Sequence, residues 1–359
     1  MTNVDFEAQL NAKGAIIAEN FTGVLNGNGR AIIGLNNVSV SNGNVSNFQG
    51  LALFKKISNA TIKNINFAET DNNATKFVNI FAQKQANMLK YSLIAMTSTN
   101  SLIADVTMPK AIFVVEGSGM LQNDAYIGGL VAESYNTTFS GCIANITVEF
   151  NADFSTTLGS VYIGGLTGYA VDCKVQSSTR ATTVGISVVQ GKTNRRFKAI
   201  GGVAGYFEAE NLAASIDGVE ATVTQLTNIY IDHFGGIVGY AIGATITNCL
   251  AQGSIIHSAL EKTNTGALVG QLQGGSVTDC TIKVVFDITI SNYNYTNIGF
   301  VAGYVTSYNQ VQANIANCKI NQTFTNKTKI SADHSSVEEM GIYGDGPTNY
   351  SPSGCTKID

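Results

Sequence analysis

The stretch Phe234-Gly235-Gly236-Ile237-Val238-Gly239-Tyr240 decides the fold, because it recurs along the chain. Residues 163–169 read Ile-Gly-Gly-Leu-Thr-Gly-Tyr, and residues 200–206 read Ile-Gly-Gly-Val-Ala-Gly-Tyr. The other copies lie at 127–132, 266–270 and 299–304, and successive copies are 36, 37, 34, 31 and 33 residues apart. A repeat of this length indicates stacked units that bury their apolar faces against one another.

One repeat, residues 234–263, shows the predicted secondary structure. Residues 234–240 are short and apolar, residues 244–250 alternate apolar and polar side chains, and residues 254–257 form a third short apolar run. The sequence therefore predicts three strands of four to six residues with tight corners between them. Variable loops at one corner are expected around residues 151–160, 188–198 and 257–265.

Strands that recur once per repeat in the same direction pair in parallel with their counterparts. We therefore expect an all-β, right-handed parallel β-helix of about nine coils, with roughly three short strands per coil. Inward positions such as Ile237, Ile246 and Ile255 should stack on equivalent residues in other coils. For Ile237, the equivalent residues are Leu130, Leu166, Val203, Leu268 and Val301.

Recurring glycines indicate positions where a side chain would collide with the next coil, since glycine in a strand is otherwise unfavourable. The predicted structural glycines are Gly129, Gly165, Gly202, Gly236, Gly266 and Gly299. Residues 1–49 are predicted to form an N-terminal capping coil and residues 50–330 the repeat β-helix, with an irregular insertion at about 68–91. Residues 331–359 are predicted to be a C-terminal cap or tail, since open β-helix ends must be covered.

Charge excludes some partners. Charged residues make up 13% of the chain, against about 25% in average domains, and the net charge is −4. The only basic cluster, Lys192, Arg195, Arg196 and Lys198, is interpreted as a solvated loop, so no nucleic-acid partner is expected. No apolar run approaches the ~20 residues of a membrane span, so no membrane insertion is expected.

Residues 165–168, Gly-Leu-Thr-Gly, carry a family resemblance. Residues 202–205 and 236–239 vary its second position, and residues 21–35 look like a first coil of the same kind. Over roughly residues 20–320 the chain resembles the GLUG-motif β-helix proteins, named after a recurring Gly-Leu-x-Gly. The resemblance implies a large surface or secreted, often adhesin-like protein, and it supplies no shared catalytic residues.

The six cysteines are predicted to fall in one column of the helix. Cys142 and Cys249 lie 13 residues after the second glycine of their repeats, and Cys280 occupies the corresponding position. Cys173, Cys318 and Cys355 are placed in the corresponding strands, with Ile216 near the slot of the intervening repeat. The column predicts either free buried thiols or disulfides between adjacent coils, grouped as Cys142–Cys173, Cys249–Cys280 and Cys318–Cys355.

Two further patterns concern binding and catalysis. Tyr169, Tyr206, Tyr240 and Tyr304 are predicted to form a column, either as an exposed strip that stacks on sugar rings or as residues that stack on each other. Asp232 and His233 are an adjacent acid–imidazole pair that immediately precedes a Gly-Gly strand, and no nucleophile elbow accompanies them. No CxxC motif or calcium loop occurs, and Asn26-Gly-Asn-Gly29 is interpreted as a tight turn, so no cofactor and no metal are expected.

The sequence therefore favours a non-enzymatic β-helical surface protein that binds a protein or glycan partner through its loops. One alternative is an intracellular structural scaffold or filament subunit, associating head to tail. Another is a polysaccharide lyase or hydrolase on the same fold. An extracellular or cell-surface location agrees with eleven Asn-x-Ser/Thr sequons, whereas the absence of a signal-peptide pattern in residues 1–20 favours a cytoplasmic one.

Overall fold

A computed structural model of the protein describes most of the chain. The described residues are 15–32, 38–41, 50–67, 75–81, 89–121, 123–157, 159–190, 196–227, 230–259, 263–290, 296–325, 329–332, 341–346 and 351–359.

Almost every described element is a β-strand. In chain order the strands are β1 (Ala15–Asn26), β2 (Ala31–Ile32), β3 (Val38–Ser41), β4 (Gly50–Lys63), β5 (Asn66–Phe67), β6 (Thr75–Phe81), β7 (Leu89–Tyr91), β8 (Ala95–Thr99), β9 (Leu102–Ala104), β10 (Thr107–Leu121), β11 (Ala125–Gly128), β12 (Val131–Tyr135), β13 (Thr138–Ser140), β14 (Ile143–Thr157), β15 (Val161–Gly164), β16 (Thr167–Val171), β17 (Lys174–Gln176), β18 (Thr182–Gln190), β19 (Arg196–Gly201), β20 (Ala204–Glu208), β21 (Ser215–Asp217), β22 (Val219–Thr227), β23 (Tyr230–Gly235), β24 (Val238–Ile242), β25 (Thr245–Thr247), β26 (Leu250–Ala259), β27 (Thr263–Gly266), β28 (Val269–Gln273), β29 (Ser276–Thr278), β30 (Thr281–Ile290), β31 (Thr296–Gly299), β32 (Ala302–Thr306), β33 (Asn314–Ala316), β34 (Lys319–Asn321), β35 (Lys329–Ala332), β36 (Tyr343–Asp345) and β37 (Thr356–Ile358). One short helix, α1 (Gln322–Thr325), follows β34.

Each described strand pairs in parallel with a strand of a neighbouring coil, which confirms the parallel β-helix. The strands form three sheets. Sheet C contains β7, β11, β15, β19, β23, β27 and β31. Sheet A contains the run β1, β4, β8, β12, β16, β20, β24, β28, β32, β36 and a second run of short strands from β9 to β33. Sheet B contains β2, β3, β5, β6, β10, β14, β18, β22, β26, β30, β34, β35 and β37. The right-handed sense of the coil stays a prediction.

A complete coil has four strands on these three sheets, so the predicted strand boundaries need correction. The predicted strand 234–240 is divided at a corner between β23 and β24, and the predicted strand 244–250 is divided between β25 and β26. The second division falls at Asn248, whose φ of 53° is a left-handed conformation that asparagine tolerates. Sheet B strands are also longer than expected, as in β14 with 15 residues.

The interior agrees with the predicted stacking. Ile237, Ile246 and Ile255 are fully buried in the core. In the column of Ile237, backbone hydrogen bonds join coil to coil through Leu130, Leu166, Val203, Ile237, Leu268 and Val301, all with 0% exposure. Sheet B shows the alternation expected when one face meets the core and the other solvent, as in buried Ile282, Val284, Phe286 and Ile288 of β30.

The glycines have two distinct positions, because Gly128, Gly164, Gly201, Gly235, Gly266 and Gly299 share one register column. Gly266 and Gly299 therefore do not continue the column of Gly129, Gly165, Gly202 and Gly236, as the sequence had suggested; Ala267 and Phe300 do. A Cβ on Gly165 would overlap the carbonyl oxygen of Gly202 in the next coil. A Cβ on Gly164 would overlap the carbonyl oxygen of Thr167 in its own coil. The predicted collision with the next coil holds for both columns, since a Cβ on Gly164 would also lie 2.8 Å from the carbonyl oxygen of Val203 and a Cβ on Gly266 2.8 Å from that of Val301.

The predicted insertion at 68–91 is wrong for its described residues. Residues 75–81 form β6, which pairs with β3 and β10, and residues 89–91 form β7, which pairs with β4 and β11. Both stretches therefore continue the sheets. At the C-terminal end, β36 pairs with β32 and β37 with β34, so part of 331–359 adds a further coil.

The predicted loops are largely strand. Residues 151–157 belong to β14, residues 188–190 to β18 and residues 257–259 to β26, because parallel pairing in sheet B extends past the core. Residues 158, 191–195 and 260–262 of these predicted loops lie outside the described residues.

Candidate functional site: an outward tyrosine surface

Three of the four predicted tyrosines lie side by side. Parallel register joins Tyr169 to Tyr206 and Tyr206 to Tyr240 on sheet A. Gln271 occupies the next coil, so Tyr304 is separated from the other three. The column of four is therefore confirmed as a register column, but only three of its tyrosines are neighbours.

A second column of side chains lies beside the first, on sheet C. Tyr126 and Tyr162 are register partners there, and the column continues through Ala199, His233 and Asn264. The backbones of sheets C and A come close at the corner between them, where a Cβ on Gly168 would lie 2.7 Å from the amide nitrogen of Ile127. Glycine at this position allows outward side chains of the two sheets to meet.

The rings form one contact set, which we call the tyrosine surface: Tyr126, Tyr162, Tyr169, Tyr206 and Tyr240. Tyr169 and Tyr206 are stacked, with centroids 4.6 Å apart and an interplanar angle of 1°. Tyr162 packs edge-on against both, with centroids 5.9 Å from each. Tyr126 lies 5.1 Å from Tyr169, and Tyr240 lies 5.5 Å from Tyr206. All but Tyr126 remain partly exposed.

The hydroxyls of this surface stay protonated in neutral solution. Burial raises the pKa of Tyr162 and of Tyr169 to about 12. Burial is also the main cause that raises the pKa of Tyr126, Tyr206 and Tyr240, and the hydrogen bond that Tyr206 donates to Glu208 at 2.7 Å adds to it. The rings therefore present neutral hydroxyls that donate and accept hydrogen bonds.

Amide side chains continue the surface toward the C-terminal end. Asn264 contacts Nδ1 of His233 at 3.1 Å and donates to Gln271 at 3.2 Å, while Asn297 donates to Asn264 at 2.7 Å. His233 also packs its ring against Tyr240, with centroids 4.9 Å apart. These amides were not among the residues predicted from the sequence, although their offset from the recurring glycines places them beside the tyrosines.

Charged residues flank the surface toward the N-terminal end. Lys90 precedes Tyr126 in the sheet C column, and Glu133 precedes Tyr169 in the sheet A column. Lys90 and Glu133 form an ion pair, with side chains 14% and 11% exposed. Glu133 also accepts hydrogen bonds from Thr97 and Tyr135, at 3.2 and 2.8 Å.

The cysteines do not form the single column that was predicted. Cys249, Cys280, Cys318 and Cys355 are consecutive, because their following residues pair in register. Cys142 lies in the same column, separated from Cys249 by Thr182 and Val219. Cys173 lies in another column, with Thr137 and Ala214 as its register neighbours. The predicted pairing of Cys142 with Cys173 is therefore wrong, and so is the predicted position of Ile216 in the cysteine column.

The reason is an offset along each coil. Cys142, Cys249 and Cys280 come 14 residues after Gly128, Gly235 and Gly266, whereas Cys173 comes 9 residues after Gly164. All six cysteines have free thiols, and all but Cys355 are buried. Burial raises the pKa of Cys142 to about 11 and of Cys173 to about 12, so these thiols are protonated and unreactive at neutral pH.

Asp232 and His233 take different partners. Asp232 forms an ion pair with Lys198 of the preceding coil at 3.1 Å, whereas His233 contacts Asn264 of the following coil. Lys198 and Arg196 lie on β19, so this part of the basic cluster is strand where a loop was predicted, and Lys192 and Arg195 lie outside the described residues.

Two further features of the described ranges concern metal binding and membranes. No group of three or more His, Cys, Asp or Glu side chains there is arranged to hold a metal ion. No described helix is long and apolar enough to cross a membrane. At the other candidate motif, Asn28 and Gly29 have φ of 50° and 72°, which confirms the predicted tight turn.

Comparison of the chain with protein-family models, curated proteins and solved structures gives no match.

Proposed function

We propose that this protein is a non-enzymatic, elongated β-helical binding protein that holds a glycan chain along its tyrosine surface and acts in adhesion at a cell surface. The observation that carries the proposal is that five tyrosine rings from two sheets form one contact set across four successive coils, bordered by amide groups. A GLUG-type role at a surface agrees with it but rests on the sequence resemblance alone.

The chemistry of the surface suits a sugar chain. Tyrosine offers an apolar ring and a polar hydroxyl, which match the C–H groups and hydroxyls of a pyranose. The hydroxyls of Tyr162 and Tyr169 stay neutral, so they donate and accept as sugar hydroxyls require. Coils repeat at about 4.8 Å, a spacing similar to the length of one sugar ring in an extended chain.

The rigidity of the surface favours binding as well. The rings are fixed by one another, as in the parallel Tyr169–Tyr206 pair, and their strands are paired on both sides. Little side-chain freedom is therefore lost when a ligand binds. The binding surface is accordingly placed on sheet faces, not in the loops that the sequence had favoured.

The test is glycan binding by a double variant, Tyr169→Ala with Tyr206→Ala, compared with Tyr304→Ala as a matched control outside the contact set. We expect about tenfold weaker binding of a neutral hexasaccharide by the double variant and little change for the control. Circular dichroism checks that both variants keep their strands. Equal binding by the double variant and the wild type would contradict the proposal, and so would binding of a protein partner with no glycan binding.

A second candidate function is end-to-end association into filaments. β36 and β37 have a described parallel partner on one side only, β32 and β34 respectively. Beside them lies a cleft of about 400 Å³ lined by Phe300, Ile320, Ile342 and Cys355 among others. Filaments seen by electron microscopy, and lost in Ile342→Lys, would place this function ahead of glycan adhesion.

The enzymatic alternative also has a direct test. Asp232 and His233 have separate partners in different coils, and this arrangement gives no support to their acting together. The test is release of new reducing ends from an acidic polysaccharide. If the wild type releases them and the His233→Ala variant does not, the protein is a polysaccharide lyase or hydrolase.

A further inference from the structure

A cleft of about 440 Å³ lies at the N-terminal end of the tyrosine surface. It is lined by Glu19, Asn20, Lys55, Lys56, Lys90, Met96, Thr97 and Glu133. The cleft belongs to the same register column as the tyrosines, since Asn20, Lys56, Thr97, Glu133 and Tyr169 are successive partners along sheet A. A chain bound along that column passes from the tyrosine rings into the cleft.

The two carboxylates in the cleft differ in their effect on an anion. Glu133 is 8% exposed, and its oxygens accept from Lys90, Thr97 and Tyr135, so its charge is compensated and covered. Glu19 is exposed and reduces the positive potential of the cleft. Three lysines still face two carboxylates there.

Two of these lysines are not engaged. No described carboxylate lies within ion-pair distance of the Lys55 or Lys56 ammonium, in contrast to Lys90 with Glu133. Lys56 is exposed and Lys55 is half-buried. Both ammonium groups can therefore turn toward an anion, whereas Lys90 is paired with Glu133.

We propose that the ligand of the tyrosine surface is an acidic glycan, whose carboxylate is bound in the cleft by Lys55 and Lys56. This proposal rests on the proposed function, since it assigns the chemical class of the ligand for the same surface. The column from Lys56 to Tyr240 spans five coil steps, roughly 24 Å at about 4.8 Å per step, so an oligosaccharide of about six sugars reaches both the lysines and the rings.

The experiment compares two ligands that differ only in charge: a linear hexauronate and the same hexasaccharide with its carboxyl groups reduced to alcohols. Calorimetry measures the affinity of each for the wild type. We expect the hexauronate to bind about tenfold more tightly, and its advantage to shrink as salt is added, because screening weakens ionic contacts.

Three variants separate this inference from the proposed function. Lys55→Gln with Lys56→Gln should remove the preference for the hexauronate and leave the reduced hexasaccharide unaffected. Lys283→Gln, on the outward face of sheet B, is the matched lysine control and should change neither affinity. Tyr169→Ala with Tyr206→Ala should weaken the binding of both ligands.

The outcomes are distinct. Equal affinity for the two ligands, with both affinities lowered by the tyrosine change, overturns the acidic ligand and leaves glycan binding intact. A preference for the hexauronate that survives the double lysine change overturns the binding of its carboxylate by Lys55 and Lys56. Binding of neither ligand overturns the acidic glycan and the proposed function together.

Discussion

The rings of Tyr169 and Tyr206 are parallel to within 1°, with their centroids 4.6 Å apart. This distance is close to the spacing of parallel strands, about 4.8 Å, because the two residues are register partners in adjacent coils. The sheet therefore sets the spacing of the two rings, but not their parallel orientation, since the register partners Tyr206 and Tyr240 meet at 87°. The ring of Tyr162 packs edge-on against both Tyr169 and Tyr206. Stability and ligand contact thus depend on the same rings.

Removal of one tyrosine ring should show how much the ring contacts contribute to stability. Tyr206→Ala loses contacts with Tyr169, Tyr162 and Tyr240, and we expect it to lower the free energy of unfolding by about 1–3 kcal/mol. Tyr304→Ala, whose register neighbours are Gln271 and Asp345, should cost clearly less. Chemical denaturation of both variants measures the difference; equal losses would mean that the ring contacts contribute little.

The glycine columns predict a sharp contrast between two glycine-to-alanine changes. Gly165→Ala places a Cβ against the backbone carbonyl of Gly202, which cannot move without disturbing the next coil, so we expect a loss of at least about 2 kcal/mol. Gly185→Ala meets only the side chain of Asn145 on the outer face of sheet B and should be nearly neutral or stabilising. Thermal unfolding compares them, and similar melting temperatures would contradict the packing argument.

Thiol reactivity should be confined to one residue in the native protein. Cys355 is the one cysteine that is not buried. A thiol reagent at neutral pH should modify about one thiol per chain slowly, and the remaining five only after denaturation. Cys355→Ser should remove the native reaction. Rapid modification of several thiols in the folded protein would contradict the buried column.

Oxidative cross-linking tests the register of the cysteines. Mild oxidation of the native protein should join Cys355 only to its register neighbour Cys318, because Cys355 is the one cysteine that is not buried and adjacent coils lie within the Cα distance of a disulfide. Cys142 and Cys173 lie in different columns and should not cross-link to each other. Peptide mapping by mass spectrometry identifies the products, and a Cys142–Cys173 peptide would show that the register is wrong.

Stability should decline in alkali. The pKa of Cys142 rises from 9.0 unfolded to about 11 folded, and that of Tyr169 from 10.0 to about 12. Between these values the unfolded chain has lost protons that the folded chain retains, so the free energy of unfolding falls as pH rises from about 9 to 12. Denaturation at several pH values measures the slope. Cys142→Ala should make it shallower between pH 9 and 11, and an unchanged slope would show that this thiol does not contribute.

The sequence predicts the parallel β-helix because Ile163, Ile200 and Phe234 recur before the same glycines, and each copy buries the same face. It does not predict strand boundaries well, since Asn248 and the Gly236 corner divide strands whose apolar pattern is continuous. The tyrosine column is visible from the offset to the glycines. The neighbouring Tyr126 and Tyr162 become part of the surface only because two sheets approach at a corner, a tertiary contact without a local signal.

The misplacement of Cys173 has a simple physical origin. Cys173 lies nine residues after Gly164, as Thr137 lies nine residues after Gly128, so it falls in the Thr137 column before the second sheet A strand. The cysteine slot of its coil is Thr182, which the turn at residues 177–181 moves farther along the chain. Arg180 fixes this turn by donating to the carbonyl oxygens of Gly141 and Val106. Counting along the chain fails wherever such a turn lengthens a coil.

The coil-to-coil hydrogen bonds, such as those from Leu130 to Leu166 and from Leu166 to Val203, run along the axis of the helix. A pull on the two ends of the protein would therefore load these bonds in series and peel away the outermost coil first. Each released coil of 31 to 37 residues would lengthen the chain by roughly 100–130 Å. Such a molecule absorbs mechanical work in small repeated steps, because the end coils unfold one at a time while the other coils stay folded.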